Sequence, residues 1–269
     1  AHIAYANNNY ETALKSFNKL SESEAFAPVA PYYVAQIYFQ QGKYDEVISH
    51  TEPALQKPNL QHVPDMKRLV AESYYRKNNY ENAAKYFREY QQSSPNLNRT
   101  DMYQLGYCYY MINDYEKAIA AFNKVINLDD SIAQNANYHL ASCFLQSGNK
   151  SSARNAFQLA SKKSFDKKIQ EDALFNYGKL SFELNATSAA INAFQEFIKQ
   201  YPGTSKSDQS YEYLAQLYLT TRDYKQALTA LEKISVKSPT AKTAYQKVTY
   251  YRGIELYNDV DLPKAISMF

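Results

Sequence analysis

Apolar residues recur along this chain at spacings of three and four, in paired stripes parted by short polar breaks, the mark of amphipathic helices. The stretch from Arg99 to Asp130 shows the unit. Leu105, Gly106, Tyr109 and Tyr110 predict a first helix, Asn113-Asp114 breaks it, and Tyr115, Ala118, Ile119, Phe122, Val125 and Ile126 predict a second. Asn and Asp tolerate turn geometry and bond nearby backbone. Asp114 is placed to cap the second helix, with Glu116 at the positive end of its dipole. Two helices and a short turn predict an antiparallel hairpin. Gly106 and Ala118, lacking bulk, would let its helices approach while Tyr109 and Phe122 fill the gaps beside them.

The unit returns eight times. Small residues stand at Ala1, Ala35, Ala71, Gly106, Ala141, Gly178, Ala215 and Gly253, and twelve positions later come Ala13, Val47, Ala83, Ala118, Ala153, Ala190, Ala227 and Ala265. The second set is spaced 34, 36, 35, 35, 37, 37 and 38 residues apart, usually with an aromatic four positions on. A period of that length is the signature of a helical repeat array, whose hairpins must stack to bury their stripes. The predicted fold is all-α, a solenoid of antiparallel hairpins. Its units are 28–63, 64–98, 99–133, 134–170, 171–207 and 208–245, with partial units 1–27 and 246–269, in a single array.

Departures from the pattern carry their own expectations. Gly42 and Gly148 supply turns where Asn78 or Asn113 does elsewhere. Pro95, Pro202 and Pro239 are read as ending second helices, and Asp261 and Pro263 as starting one. Thr51 replaces the aromatic beside Pro53, which predicts an irregular helix there. Lys150 and Thr187 replace the Tyr found at Tyr10, Tyr44, Tyr80, Tyr115 and Tyr224. The chain begins on a small-residue position and ends inside a second helix, so it reads as an excerpt from a longer protein. Apolar faces near Ile3–Tyr5 and Ile266–Phe269 would then be uncovered, making self-association possible.

These residues resemble the tetratricopeptide repeat family. Its pattern is Gly or Ala, Tyr three later, Ala twelve later, an aromatic sixteen later and Pro near the end. Leu105-Gly106-Tyr109…Ala118…Phe122 and Ala71-Tyr74…Tyr80…Ala83…Phe87…Pro95 match it, and the likeness covers essentially the whole chain. The later units, with Phe194…Phe197…Tyr201-Pro202, also resemble bacterial cell-envelope members, which would favour a periplasmic or outer-membrane-associated place over a cytoplasmic one. The resemblance implies a right-handed superhelix with a concave wall built by the first helix of each unit. Carried onto this sequence, the wall holds Tyr32, Gln36 and Phe39, then Arg68, Glu72, Tyr75 and Arg76, then Tyr103, Tyr107 and Tyr110. Asn135, Tyr138 and Ser142 follow, then Phe175, Lys179 and Phe182, then Glu212 and Gln216, then Tyr250, Ile254 and Tyr257.

Composition sharpens that picture. The chain has 27 Tyr against 13 Phe and no Trp, and Tyr packs as an apolar ring with a wet hydroxyl. Tyr75, Tyr103, Tyr107, Tyr110 and Tyr138 would form an aromatic ladder with Arg68 and Arg76 at one end. Such a wall suits a peptide with apolar side chains and an acidic group. The alternative is that several of these rings pack against the next repeat and meet no ligand. Capture of a C-terminal carboxylate, known from co-chaperone relatives, is disfavoured: the matching places hold Arg68, Glu72, Gln104, Asn135 and His139, and Glu72 would repel it.

Little else suggests chemistry. Net charge is +3, from 30 basic and 27 acidic residues, so no strong field draws nucleic acid. Lys162, Lys163, Lys167 and Lys168 read as a solvated connection. No apolar run approaches the roughly 18 residues that cross a bilayer. His2, His50, His62 and His139 lack metal spacing, and no phosphate loop or nucleophile motif is present, so no cofactor or metal is expected. Cys108 and Cys143, one repeat apart, read as small buried hydrophobes. The Asn-x-Ser/Thr triplets at Asn98, Asn149 and Asn185 read as chance. The function expected is non-catalytic binding of a protein or peptide. The alternatives are glycan or ligand capture in an envelope lipoprotein, and a docking arm of a larger enzyme.

Overall fold

The computed structural model describes residues 1–94 and 97–269; Pro95, expected to end a second helix, lies outside the described residues. Helices hold 74% of the chain and the described residues contain no strand, so the all-α class holds. The fold comprises two compact units, residues 1–125 and 126–269.

The first unit contains α1 (His2–Ala6), α2 (Tyr10–Leu20), α3 (Ala30–Gln40), α4 (Tyr44–Ala54), α5 (Val63–Arg76), α6 (Tyr80–Ser93), α7 (Arg99–Met111) and α8 (Tyr115–Phe122). The second contains α9 (Ser131–Gln146), α10 (Lys150–Ser161), α11 (Lys167–Glu183), α12 (Thr187–Gln200), α13 (Ser205–Thr220), α14 (Tyr224–Glu232), α15 (Pro239–Asn258) and α16 (Leu262–Met268). Odd-numbered helices are the first of each hairpin. Within each unit every second helix packs on its own first helix and on the next one, while first helices also touch along α3–α5 and α9–α11–α13–α15. Each unit is therefore a two-layered solenoid of hairpins. The first helices of the later hairpins start earlier than the expected boundaries: residues 134, 171, 208 and 246 all lie inside α9, α11, α13 and α15.

The small-residue pattern has a direct geometric cause. A Cβ on Gly106 would lie 3.0 Å from ring carbons of Phe122, one on Gly178 2.9 Å from Phe194, and one on Gly253 2.9 Å from Phe269. Each ring, sixteen positions on, packs against bare backbone of the first helix. The positions twelve on are sealed, with Ala13, Val47, Ala83, Ala118, Ala153, Ala190 and Ala227 all fully buried. Ala1 departs from the pattern: it is exposed and precedes α1.

Turn chemistry repeats as strictly. Two residues before each second helix the backbone is left-handed, at Asn8, Gly42, Asn78, Asn113, Gly148, Asn185, Arg222 and Val260, with φ between 56° and 75°. Asn does more than tolerate that region. The hydroxyls of Tyr10, Tyr80 and Tyr115 donate to Oδ1 of Asn8, Asn78 and Asn113 at 2.9, 2.7 and 2.7 Å. Asp114 caps α8 as expected, accepting from the Lys117 N–H. Asn98 and Asn149, two of the three Asn-x-Ser/Thr triplets, cap α7 and α10 the same way.

Three expectations need correction. Pro239 does not end a helix; α14 stops at Glu232, and Pro239 opens α15, where a missing N–H costs nothing. Pro53 does not make α4 irregular, because it falls in the last turn and the helix runs on to Ala54 with Thr51 fully buried. The second helix of the type unit ends at Phe122, although Val125 beyond it is still buried. Pro202 follows α12, and Pro263 sits in the first turn of α16 behind Asp261, as expected. Both cysteines are free and buried, and burial pushes their thiols up to about 12.

The basic run at 162–168 spans the α10–α11 connection, which is anchored by a residue that the sequence reading missed. Gln134, fully buried on α9, donates to the carbonyls of Lys163 (2.7 Å) and Asp166 (3.0 Å) and accepts from the Asp166 N–H (2.7 Å). Lys163 itself reaches Asp129 at 2.8 Å.

A non-glycine residue in left-handed backbone costs about 1–2 kcal/mol, and Asn tolerates it best. Arg222→Asn, which also recreates the Asn–Tyr bond with Tyr224, is expected to stabilise the second unit by about 0.5–1 kcal/mol. Thermal unfolding followed by circular dichroism checks this as a raised midpoint.

Candidate functional site

In the first unit the candidate wall residues come from α3, α5 and α7. Gln36 is engaged on both sides: its Oε1 accepts from the Tyr5 hydroxyl at 2.8 Å and its Nε2 donates to the Tyr32 hydroxyl at 2.6 Å. The Tyr32 ring stacks on His62 with centroids 4.4 Å apart. Phe39 lies edge-on to Tyr44 at 5.6 Å. These residues are partly exposed, yet much of their polar capacity is spent within the protein.

The two arginines are likewise committed. Arg68 Nε donates at 2.8 Å to Oδ2 of Asp101, a carboxylate only 1% exposed that also accepts from the Asn98 amide. Arg76 lies 3.6 Å from Glu72, one turn before it. The four side chains thus neutralise one another. The expected cationic end of the ladder is a pair of internally balanced ion pairs, which weakens the case for an acidic ligand there.

Tyrosine rings dominate the rest of this face. Tyr107 lies 5.9 Å from Tyr75, 5.7 Å from Tyr80, 6.4 Å from Tyr103 and 6.1 Å from Tyr110. Tyr110 in turn lies 6.3 Å from Tyr115, and Tyr103 lies 5.8 Å from Phe122. Burial pushes the Tyr75 phenol up to about 12 and raises that of Tyr107, with neighbouring hydroxyls adding to both. Burial also raises the Tyr103 phenol well above the ordinary range. The cluster is therefore half core and half surface. Tyr80 and Tyr115, which join it from the second helices, were missed as candidates. Their signal was the Tyr recurring at the first position of second helices.

In the second unit Tyr138 is brought into a charged group. Its hydroxyl donates to Asp172 Oδ2 at 2.7 Å, and the same carboxylate takes Lys206 at 2.9 Å and the Asn176 amide at 3.0 Å. A recess of about 380 Å³ opens beside these groups, lined also by Lys168 and Glu171. Phe175 is core rather than wall, only 8% exposed and edge-on to Phe197. Phe182 packs on Tyr213 at 5.0 Å, and Tyr213 stacks flat on Phe194 at 4.9 Å. Among the described residues no group of three or more His, Cys, Asp or Glu could hold a metal ion, and no helix is long and apolar enough to cross a membrane.

Comparison with known proteins places this geometry. Family models match three stretches of the chain: anaphase-promoting complex, cyclosome, subunit 3 over residues 76–160, and tetratricopeptide repeat over 172–204 and 1–46. Among curated proteins none is significantly similar in sequence. Solved structures share the fold at low identity. The C-terminal part of a TPR repeat-containing protein from Cytophaga hutchinsonii superposes with a TM-score of 0.58 at 19% identity, covering 90% of this chain and 97% of that one. YrrB, described as a TPR protein with an unusual peptide-binding site, gives 0.56 at 16% identity, covering 78% of this chain and 99% of that one. Naa15/Naa10 bound to HypK-THB gives 0.60 at 16% identity, covering 92% of this chain and 37% of that one.

Burial of a histidine on α9 has a consequence for acid stability. It holds His139 down at about 4, against an ordinary 6.5. A histidine that is harder to protonate when folded contributes stability that is complete above pH 6.5 and lost as pH falls through 4. The unfolding midpoint of the native chain should therefore drop more steeply between pH 6.5 and 4 than that of His139→Gln. Thermal melts at half-unit pH steps check the difference in slope.

Proposed function

We propose that this chain, built of tetratricopeptide repeats, is a non-catalytic scaffold whose first-helix wall holds a peptide or protein segment. Its eight helix pairs are read as eight repeats of one array. The observation that carries the proposal is the half-exposed cluster of Tyr75, Tyr80, Tyr103, Tyr107 and Tyr110 in the first unit.

Aromatic rings with hydroxyl tips present large contact area at low entropic cost, and such residues commonly anchor interfaces. Because Arg68, Asp101, Glu72 and Arg76 balance one another, affinity in this unit comes from rings and hydroxyls. The ligand favoured is a segment with apolar or aromatic side chains at helical or extended spacing. The fold likeness to a protein described as having a peptide-binding site agrees with this reading.

Peptides selected from a displayed random library by the native chain should be rich in apolar residues. Replacing Tyr107 and Tyr110 together by Ser should weaken the selected peptides at least about tenfold, the scale of one lost interface anchor. Fluorescence anisotropy measures this, with circular dichroism confirming retained helicity. Unchanged affinity would move the site away from the tyrosine cluster.

A further inference from the structure

A second recess on the first-helix wall lies wholly within the second unit and differs in chemistry from the tyrosine cluster. It has a volume of about 300 Å³ and is lined by Gln209, Glu212, Tyr213 and Gln216 of α13 and Thr240 of α15. The four α13 residues fall at spacings of three and four, so they form one stripe down the helix face. Several polar side chains elsewhere on the first helices are used internally, as Gln36, Arg68 and Asp172 are. Here they are not: among the described residues the side chains of Gln209, Glu212 and Gln216 make no hydrogen bond or ion pair.

We propose that this recess is a subsite for a cationic side chain of a bound peptide, with Glu212 taking the guanidinium or ammonium and the amides of Gln209 and Gln216 pairing with the peptide main chain. A carboxylate between two amides offers acceptors for the cation, and both donors and acceptors for a flanking peptide bond. The charge balance favours a cation. Lys150 already neutralises Glu183 at 2.7 Å, whereas Glu212 has no basic partner. The Tyr213 phenol registers the same field, being raised by burial first and then by the charges of Glu183 and Glu212. The Tyr213 ring, stacked flat on Phe194, gives the recess a rigid side. The occupant rests on reading the wall as peptide-binding, but the subsite does not depend on the tyrosine cluster.

The test uses the whole chain, labelled with nitrogen-15, and N-acetyl-Ala-Arg-Ala-methylamide as probe. The Arg tripeptide should move the side-chain amide signals of Gln209 and Gln216 saturably. The citrulline analogue, which keeps the shape and loses the charge, should bind at least about tenfold more weakly, and Glu212→Gln should lower affinity for the Arg tripeptide by a similar factor. Equal binding of Arg and citrulline peptides, or no movement with either, would overturn the proposal. So would movement of these signals by maltose or cellobiose alone, which would make the recess a sugar site. A Tyr107→Ser, Tyr110→Ser variant that still binds the Arg tripeptide, with or without losing its library-selected ligands, supports the subsite as independent.

Discussion

Three hairpins depend on a close contact between a glycine of the first helix and an aromatic ring sixteen positions later, Gly106 with Phe122, Gly178 with Phe194 and Gly253 with Phe269. Where the small residue is Gly106 or Gly178, a single added carbon would lie within 3.0 Å of the ring, so the ring takes the place that a side chain would fill. Phe122 and Phe194 are fully buried there, in contact with first-helix backbone and with neighbouring hydrophobics. Dense packing of this kind gathers many weak dispersion contacts and fixes the distance between the helices. The left-handed turn residue fixes their reversal. Together these two constraints set where every first-helix side chain emerges.

The tyrosines can then be sorted by what they do. Tyr10, Tyr80 and Tyr115 brace turns through the amide of the left-handed Asn. Tyr74 and Tyr86 both donate to Glu52 and stack on each other, tying α5 and α6 to α4. Tyr103, Tyr107 and Tyr110 stay half-buried on the first-helix face among other rings. The abundance of Tyr therefore serves structure first and recognition second, and the same ring often does both. Charge follows a similar rule: most wall charges are balanced at home, which makes the unbalanced Glu212 informative.

Much of the fold was legible from residue spacing alone. The eightfold return of Gly106-like and Ala118-like positions fixed hairpins and class, and Asn113-Asp114 gave both turn and cap. What escaped was set by contacts across about one repeat. Nothing local marks Arg68 as the partner of Asp101, or Gln134 as the anchor of a loop near Asp166. Pro239 was misread because proline is compatible both with the end of one helix and with the first turn of the next, and only the length of the connection decides. The first-helix positions were legible, but the sequence could not say which side chains on them were already engaged. Phe175 and Tyr138 look alike in register, yet one is core and the other bonds a carboxylate.

The central claim, that the ring sixteen positions on excludes a side chain from the first helix, is tested most directly by a double-mutant cycle at Gly178 and Phe194. With Phe194 in place, Gly178→Ala should destabilise the chain by about 1 kcal/mol through overpacking, despite the better helix propensity of Ala. In a Phe194→Leu background the same change should instead stabilise by about 0.5–1 kcal/mol, because propensity is no longer opposed. A Gly178→Ala effect of the same sign and size in both backgrounds would contradict the account.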